Sequence, residues 1–171
     1  MKLYTGMGPN PRVVTIAIAE TSANVDIVEV DLLAGENRQG NHLGRNPAGQ
    51  IPTLELDDGS FLSEVTVIAE YIDEKQGGSL LGATAEERAE TRMWTRRIDL
   101  NIAEPMGNGF RFAEGLPLFE TRIHVIPAAA DDFKQIAQEK LLWLDGLMDG
   151  KDFVCGDRFT IADILLFAFL E

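Results

Sequence analysis

The stretch NPAGQIPTLELDDGSFLSEVTVIAEYID, residues 46–73, decides the fold, because it reads as two short strands followed by a helix. TLEL alternates apolar and polar residues, DDGS is typical of a turn, and FL resumes a strand, so the pattern predicts a hairpin. The helix after it is indicated by apolar residues at the spacing i, i+3, i+4, i+7, namely Val65, Ile68, Ala69 and Ile72. Pro52 directly precedes the first strand, and it has no N–H to donate to a hydrogen bond of the sheet.

The residues upstream of this stretch add two strands and a helix. KLYTG, residues 2–6, is a short strand candidate. Residues 12–20 place apolar side chains at helical spacing, although their β-branched content leaves a strand possible. VDIVEVDL, residues 25–32, is apolar on both faces and predicts a buried strand in a covered sheet. The order β-α-β and then β-β-α predicts a small mixed sheet with helices packed on it.

Everything after a Gly-rich linker indicates helices. Thr84 with Glu87, and Thr160 with Asp163, have the spacing of capping boxes at helix starts. Pro105 and the glycines after it are expected to interrupt the first long helix. We therefore expect an α/β domain over residues 1–76, a linker over 77–84 and an all-helical domain over 85–171.

Composition and charge exclude several classes of protein. The net charge of −13 argues against a nucleic-acid partner, which would require a basic surface. No apolar run is long enough for a membrane span, and the N-terminus lacks the pattern of a signal peptide. A single cysteine excludes a disulfide framework within the chain, and the two histidines lie in no metal-ligand spacing. These features predict a cytoplasmic protein without a metal site.

Two motifs together resemble the cytosolic glutathione S-transferases of bacterial type. The first is NPAGQIPTLELDDG with FLSE after it, and the second is GDRFTIADI, residues 156–164. The resemblance implies a thioredoxin-like N-terminal domain that binds glutathione and an all-α C-terminal domain that forms the pocket for a hydrophobic electrophile. It also implies a homodimer. Family members usually continue for a few dozen residues, so the C-terminal helices are expected to be truncated.

The resemblance assigns the peptide-binding part of the site to Ile51 and Pro52. It implies a cis peptide bond before Pro52, which X-Pro bonds adopt at modest cost. Such a bend would offer the N–H and C=O of Ile51 to the cysteinyl unit of glutathione, as an added strand. The alternative is that Pro52 only begins an edge strand.

The resemblance assigns the two carboxylates of glutathione to other residues. Gln50 and Asn37 match positions near the glycyl carboxylate. Glu64 and Val65 match the pair that receives the γ-glutamyl carboxylate at a helix N-terminus. The serine usual in the family is replaced by Val65, which removes one hydrogen bond, worth about 0.5–1.5 kcal/mol. Alternatively, Glu64 is only an acid that complements the helix dipole.

The group that activates the glutathione thiol is absent from its usual place. The family uses a Tyr, Ser or Cys after the first strand, whereas this chain has Gly8 between Met7 and Pro9. Three substitutes are open: the side-chain amide of Asn10, the hydroxyl of Tyr4, and the N–H groups and dipole of the first helix. The alternatives are a core role for Tyr4 and an N-cap role for Asn10.

The resemblance therefore predicts a glutathione transferase that promotes thiolate attack on a hydrophobic electrophile. Two other functions fit the same scaffold. One is a non-catalytic binding or interaction module, which the substitutions at Gly8 and Val65 favour. The other is a glutathione-dependent reductase or isomerase.

Overall fold

The computed structural model describes residues 1–171, which divide into two compact units. The first consists of Met1–Arg88 with Leu170–Glu171, and the second of Ala89–Phe169. No helix has both the length and the apolar character needed to cross a membrane.

A four-stranded mixed sheet forms the centre of the first unit. Its strands are β1 (Lys2–Thr5), β2 (Asp26–Glu29), β3 (Thr53–Glu55) and β4 (Phe61–Leu62). Their order across the sheet is β2-β1-β3-β4, with β2 parallel to β1 and the other two pairs antiparallel. The hairpin predicted from residues 53–62 is the β3–β4 pair, which is thereby confirmed.

Three helices belong to this unit: α1 (Pro9–Thr21), α2 (Gly40–Leu43) and α3 (Val65–Lys75). A 3-10 turn, Glu36–Arg38, precedes α2. The helical interpretation of residues 12–20 is correct, since these residues lie inside α1. The strands β1 and β3 share a core with α1 and α3, formed by fully buried Leu3, Val14, Leu54, Ile68 and Ile72.

The expectation of a buried second strand was wrong. Three of the four residues of β2 are exposed, and Ile27 keeps 49% of its surface accessible. The physical reason is its position at the edge of the sheet, where only β1 pairs with it. The apolar pattern on both faces of β2 predicted burial, but a strand at the edge of a sheet can remain exposed.

The second unit consists of helices. They are α4 (Ala85–Ile98), whose first turn lies in the first unit, α5 (Glu104–Arg111), α6 (Leu116–Phe119), α7 (Ala130–Asp145) and α8 (Ile161–Leu170). A π-helical segment, Asp99–Ala103, joins α4 to α5, and a 3-10 turn, Pro127–Ala129, leads into α7.

Pro105 does not interrupt the first long helix, contrary to the prediction. The π-helical segment widens the helix just before it, with the N–H of Glu104 donating to the carbonyl of Asp99. Pro105 consequently falls in the first turn of α5, where a missing N–H costs nothing. A local widening of this kind is a known way to keep a helix continuous.

Both predicted pairs cap their helices, with a full capping box at α4 and, at α8, only the contacts that the acid accepts. The N–H of Glu87 donates to Thr84 Oγ1 at 3.1 Å, and the carboxylate of Glu87 accepts the N–H of Thr84 at 3.1 Å. At α8, the carboxylate of Asp163 accepts the N–H and the hydroxyl of Thr160 at 2.8 and 2.9 Å. These contacts fix where α4 and α8 begin.

Candidate functional site

Three segments of the first unit meet at one end of the sheet. Strand β1 ends there and leads into α1, β4 ends there and leads into α3, and β3 begins there after Pro52. In the β3–β4 ladder Leu54 is paired with Leu62. Continuing this register by two residues places Glu64 opposite Pro52.

The β1–β3 ladder brings the loop after β1 to the same place. Tyr4 is paired with Thr53, so two further residues place Gly6 opposite Ile51. A Cβ built on Gly6 would lie 2.9 Å from Cδ1 of Ile51 and 2.8 Å from the carbonyl oxygen of Val30. The loop that leads from β1 into α1 is therefore a neighbour of the residue before Pro52, and Gly6 is required by this close approach.

The backbone of Ile51 is available to a ligand. The Ile51–Pro52 peptide bond is cis, as the resemblance implies. The side chain of Ile51 is buried in a cluster with Tyr4 and Val30. No hydrogen bond within the chain uses the N–H or the C=O of Ile51. One donor and one acceptor at this end of the sheet thus have no partner within the protein.

A buried polar network holds the residue before Ile51. The carbonyl of Gln50 accepts hydrogen bonds from three side chains: His42 Nε2 at 2.9 Å, Asn46 Nδ2 at 3.0 Å and Thr53 Oγ1 at 3.2 Å. All three side chains are buried. The loop before Pro52 is therefore fixed from the inside of the unit, by α2 on one side and β3 on the other.

Gln50 and Asn37 occupy different environments. The side chain of Gln50 is exposed and makes no hydrogen bond within the chain, so it is free to meet a carboxylate. Asn37 is buried, and its Nδ2 donates to the carbonyl of Gly49 at 2.6 Å, while its Oδ1 has no partner. These contacts favour a supporting role for Asn37 in the loop over direct contact with a ligand.

The start of α3 presents free backbone donors. The first helical bond runs from the N–H of Ile68 to the carbonyl of Glu64 at 2.9 Å, which leaves the N–H groups of Val65, Thr66 and Val67 unused. No side chain caps this end, and no acid lies in the first turn. The helix dipole and these donors together make an anion site.

Glu64 itself has an unusual backbone. Its φ of 73° and ψ of 116° are uncommon for a residue with a side chain. Such conformations cost about 1–3 kcal/mol and persist where the surroundings impose them, often at ligand sites. Glu64 is the N-cap residue of α3 and not a member of its first turn, so a role as a simple first-turn acid does not describe it.

A hydroxyl near this helix start was missed from the sequence. Thr66 follows Val65 in the first turn, is half-buried and makes no hydrogen bond within the chain. The family resemblance places a serine at position 65, whereas this chain has a hydroxyl one residue later, at Thr66. The buried network of His42 and Asn46 was not predicted either, because His42 was considered only as a metal ligand and Asn46 was given no role.

The start of α1 is capped by Gly8. Its φ of 112° and ψ of 170° belong to a region that is essentially restricted to glycine. Pro9 and Pro11 have no N–H, and the N–H of Arg12 already donates to the carbonyl of Gly8 at 3.3 Å. The free backbone donors at this helix start are accordingly those of Gly8 and Asn10.

Asn10 is the second residue of α1, so its predicted alternative role as the N-cap was wrong; Gly8 takes that position. The side chain of Asn10 is half-buried and makes no hydrogen bond within the chain. No acid lies in the first turn of α1 to neutralise the positive end of the dipole. The side-chain amide of Asn10, its backbone N–H and the dipole of α1 are thus all available to an anion.

Tyr4 is occupied elsewhere. Its hydroxyl donates to Glu55 Oε2 at 2.7 Å, and the guanidinium of Arg45 lies 4.1 Å from the centre of its ring. Burial, together with the hydrogen bond to Glu55, raises the pKa of Tyr4 above its ordinary value. A thiol activator needs a free and acidic hydroxyl, so these contacts do not favour Tyr4 as the activator.

An open cleft of about 470 Å³ adjoins the loop after β1. Its walls include Gly6, the exposed side chains of Met7 and Leu33, and the carboxylates of Glu29 and Asp31. The cleft lies at the end of the sheet where the three segments meet. It offers apolar surface in the loop that leads into α1, whereas neither Ile51 nor any residue of α1 or α3 lines it.

Comparison with known proteins identifies the family. Residues 1–74 match the model of the glutathione S-transferase N-terminal domain, and residues 127–171 match that of the C-terminal domain. Glutathione S-transferase 2 of Saccharomyces cerevisiae is 32% identical over 167 residues, which cover 96% of this chain and 72% of that protein. A glutathione S-transferase domain-containing protein of Marinobacter aquaeolei has 38% identity and a TM-score of 0.92, covering 99% of this chain and 85% of that one. This chain belongs to the glutathione S-transferase family.

The family resemblance and the fold class predicted from the sequence are both confirmed by these matches. A further similarity is to elongation factor 1-gamma of Homo sapiens, at 30% identity over 128 residues. Those residues cover 75% of this chain but only 27% of the elongation factor.

Proposed function

We propose that the protein is a glutathione transferase that binds glutathione at the end of the sheet described above. It would promote attack of the glutathione thiolate on a hydrophobic electrophile. The observation that carries the proposal is that Ile51, with its unpaired backbone groups, lies at the same end of the sheet as the starts of α1 and α3, which no side chain caps. An extended peptide with an anionic end requires such an arrangement.

In this proposal each part of glutathione has a partner. The cysteinyl unit pairs with the N–H and C=O of Ile51, as a strand added beside Pro52. The γ-glutamyl carboxylate accepts from the free N–H groups at the start of α3, next to Glu64 and Val65. The glycyl carboxylate lies near Gln50, with Asn37 supporting the loop from inside. What supports these assignments is the free hydrogen-bonding capacity of each group.

The reaction requires the thiol to lose its proton to solvent. The thiolate sulfur then forms a bond to an electrophilic carbon, and the leaving group departs with the electron pair of the broken bond. Holding the thiolate beside the electrophile supplies much of the rate. The open cleft next to Met7 offers apolar surface for part of the electrophile.

Thiolate stabilisation is assigned to the start of α1. The side-chain amide of Asn10 and the N–H groups of Gly8 and Asn10 would donate to the sulfur, and the helix dipole would add to this. No hydroxyl takes part. Donors and a dipole of this kind favour the charged form of the thiol, which lowers its pKa.

A titration of the purified protein with glutathione, followed by turnover with an aryl halide and with an alkyl hydroperoxide, tests the proposal. Binding with a dissociation constant at or below the millimolar range, together with conjugation of the aryl halide, is expected. Binding with peroxide reduction or isomerisation alone would point to the reductase or isomerase instead. Absence of glutathione binding would overturn the proposal.

Two substitutions separate the candidate activators. Asn10→Ala should raise the pKa of the bound thiol and lower kcat about 10–100-fold, because one charge-assisted donor is lost. Tyr4→Phe should leave that pKa unchanged. The thiol pKa is read from the ultraviolet absorbance of the thiolate in the complex as a function of pH. The reverse pattern would assign activation to Tyr4.

The second candidate function is a non-catalytic interaction module. The specific observation that favours it is the similarity to part of elongation factor 1-gamma. Such a module would fold in the same way without binding glutathione, so the titration above distinguishes the two. For either function we expect a homodimer, which sedimentation equilibrium would detect as about twice the chain mass of 18.8 kDa.

A further inference from the structure

The peptide unit between Gln50 and Ile51 connects a buried network to the proposed ligand. A peptide unit is planar, so the carbonyl of Gln50 and the N–H of Ile51 belong to one rigid group. Fixing the direction of this carbonyl also fixes the direction of the N–H. The proposed partner of that N–H is the cysteinyl unit of glutathione, and the following inference rests on that proposed function.

Three donors converge on the carbonyl side of this unit. His42 comes from α2, Asn46 from the loop after it, and Thr53 from β3, at 2.9, 3.0 and 3.2 Å from the oxygen. The three side chains have exposures of 2%, 4% and 0%, so none of them lies at the surface. The N–H of Ile51 makes no hydrogen bond within the chain. The carbonyl of this peptide unit thus accepts three hydrogen bonds, while its N–H makes none within the chain.

His42 is the donor whose geometry is simplest to interpret. A carbonyl oxygen can only accept, so Nε2 of His42 carries the proton of this bond. Its Nδ1 is buried and has no partner. The imidazole therefore makes one hydrogen bond, and that bond is to the carbonyl of Gln50.

Asn46 has too many roles to serve as a clean probe. Its Nδ2 also approaches Thr53 Oγ1 at 3.3 Å, and its Oδ1 accepts the N–H of Ala48 at 3.0 Å. Replacing it would disturb the whole loop. Replacing His42 removes one bond from one atom.

We propose that His42 is a positioning residue for glutathione binding. It never contacts the ligand, but it aims the N–H of Ile51 at the ligand by holding the carbonyl of the same peptide unit. Donors on a carbonyl also polarise the amide, which makes its N–H a better donor. The buried network is thereby part of the binding apparatus, although each member lies beneath the surface.

The test compares His42→Leu with His42→Gln. Leucine fills a similar volume without a donor, whereas the Nε2 of glutamine can reach about the same place as Nε2 of histidine. His42→Leu is expected to raise the dissociation constant and the KM for glutathione about 5–20-fold with kcat within about twofold, since the lost contact acts equally before and during the reaction. His42→Gln is expected to stay within about threefold of the wild-type affinity.

A destabilised control separates positioning from general loss of structure. Asp73 is fully buried in the same unit, and its carboxylate accepts the N–H groups of Leu80 and Leu81 at 2.8 and 2.9 Å. Asp73→Ala should lower the free energy of unfolding without changing the affinity of the folded protein for glutathione. The amide resonance of Ile51 should shift in His42→Leu and stay in place in Asp73→Ala.

The outcomes divide cleanly. If the wild-type protein does not bind glutathione, the proposed function fails and this inference fails with it. If the wild-type protein binds glutathione and His42→Leu binds equally well, only the positioning role is overturned. Equal losses in His42→Leu and His42→Gln would also overturn it, because packing and not the donor would then matter.

Discussion

Gly8 shows how one residue defines the start of α1. Its backbone lies in a region essentially restricted to glycine, although the space around a Cβ there is open. A side chain is therefore opposed by backbone conformation and not by crowding. The hydroxyl residue that the family resemblance leads one to expect cannot be introduced here without strain.

Gly8→Ala and Gly8→Ser should each lower the free energy of unfolding by about 1–3 kcal/mol, and Gly8→Ser should not raise kcat. The matched control is Gly40→Ala. A Cβ on Gly40 would also meet open space, but Gly40 has no positive φ, so this substitution should change stability by less than about 0.5 kcal/mol. Urea denaturation measures both. A stable and more active Gly8→Ser variant would contradict this account.

The pair formed by Tyr4 and Glu55 predicts a pH dependence. The hydrogen bond from Tyr4 is the largest of the effects that lower the pKa of Glu55 below its ordinary value of 4.5. A carboxylate whose pKa is lower in the folded state stabilises the protein above the unfolded value, and this stabilisation is lost as the pH falls through the folded value. Tyr4→Phe should therefore make the stability less sensitive to acid below about pH 4.5. Urea midpoints from neutral into acid pH measure this, and parallel curves would contradict it.

Some helix starts stabilise the fold through their caps, and others are proposed to bind glutathione. At α8, the carboxylate of Asp163 accepts the N–H and the hydroxyl of Thr160 and also the N–H of Val154 at 2.8 Å. Asp163→Ala removes a cap and leaves these donors without their acceptor, so it should cost about 2–4 kcal/mol of unfolding free energy. The exposed box of α4 provides the comparison, where Thr84→Ala should cost about 0.5–1.5 kcal/mol. Equal costs in the two variants would contradict the larger loss expected at α8.

The start of α3 behaves in the opposite way, because it is left uncapped. Val65→Ser would add a donor at the site proposed for the γ-glutamyl carboxylate and should tighten glutathione binding up to about tenfold. Thr66→Val removes the neighbouring hydroxyl and should weaken binding by a similar factor if that hydroxyl now serves instead. Calorimetric titration of both variants measures the effects. If neither substitution changes the affinity, no hydroxyl at this helix start contacts the carboxylate.

Helices and strands were predicted correctly where residues close together in the sequence determine them. The hairpin, the helix after it and both helix caps follow from turn residues, periodicity and N-cap pairs, which act within a few positions of the chain. Burial of β2 and the continuity of the helix at Pro105 were predicted wrongly. The burial of β2 depends on its position at the edge of the sheet, and the continuity of the helix depends on a π-helical turn. Neither feature can be predicted from the local sequence.

At the scale of the molecule, the same fold serves proteins of different function. The core and the caps specify the family, whereas activity depends on a few atoms near Ile51, Asn10 and the start of α3. The network beneath Ile51 could not be predicted, because His42 and Asn46 meet the carbonyl of Gln50 only after the chain has folded. Belonging to the family therefore leaves open whether this chain binds glutathione.

Hydrogen exchange across the whole chain answers that question directly. Glutathione at a hundredfold excess over its dissociation constant should stabilise the folded state by about 2.7 kcal/mol. The largest gains in protection should fall on the amides of Gly8, Asn10, Ile51 and Val65–Val67, because these make or adjoin the proposed contacts. Amides of α7 that exchange through local opening should exchange as before, because the proposed contacts lie in the first unit. A matched measurement with a simple dicarboxylate should protect the start of α3 without Ile51, since it lacks a peptide to pair. Absence of protection at Ile51 with glutathione would favour the interaction module over the transferase.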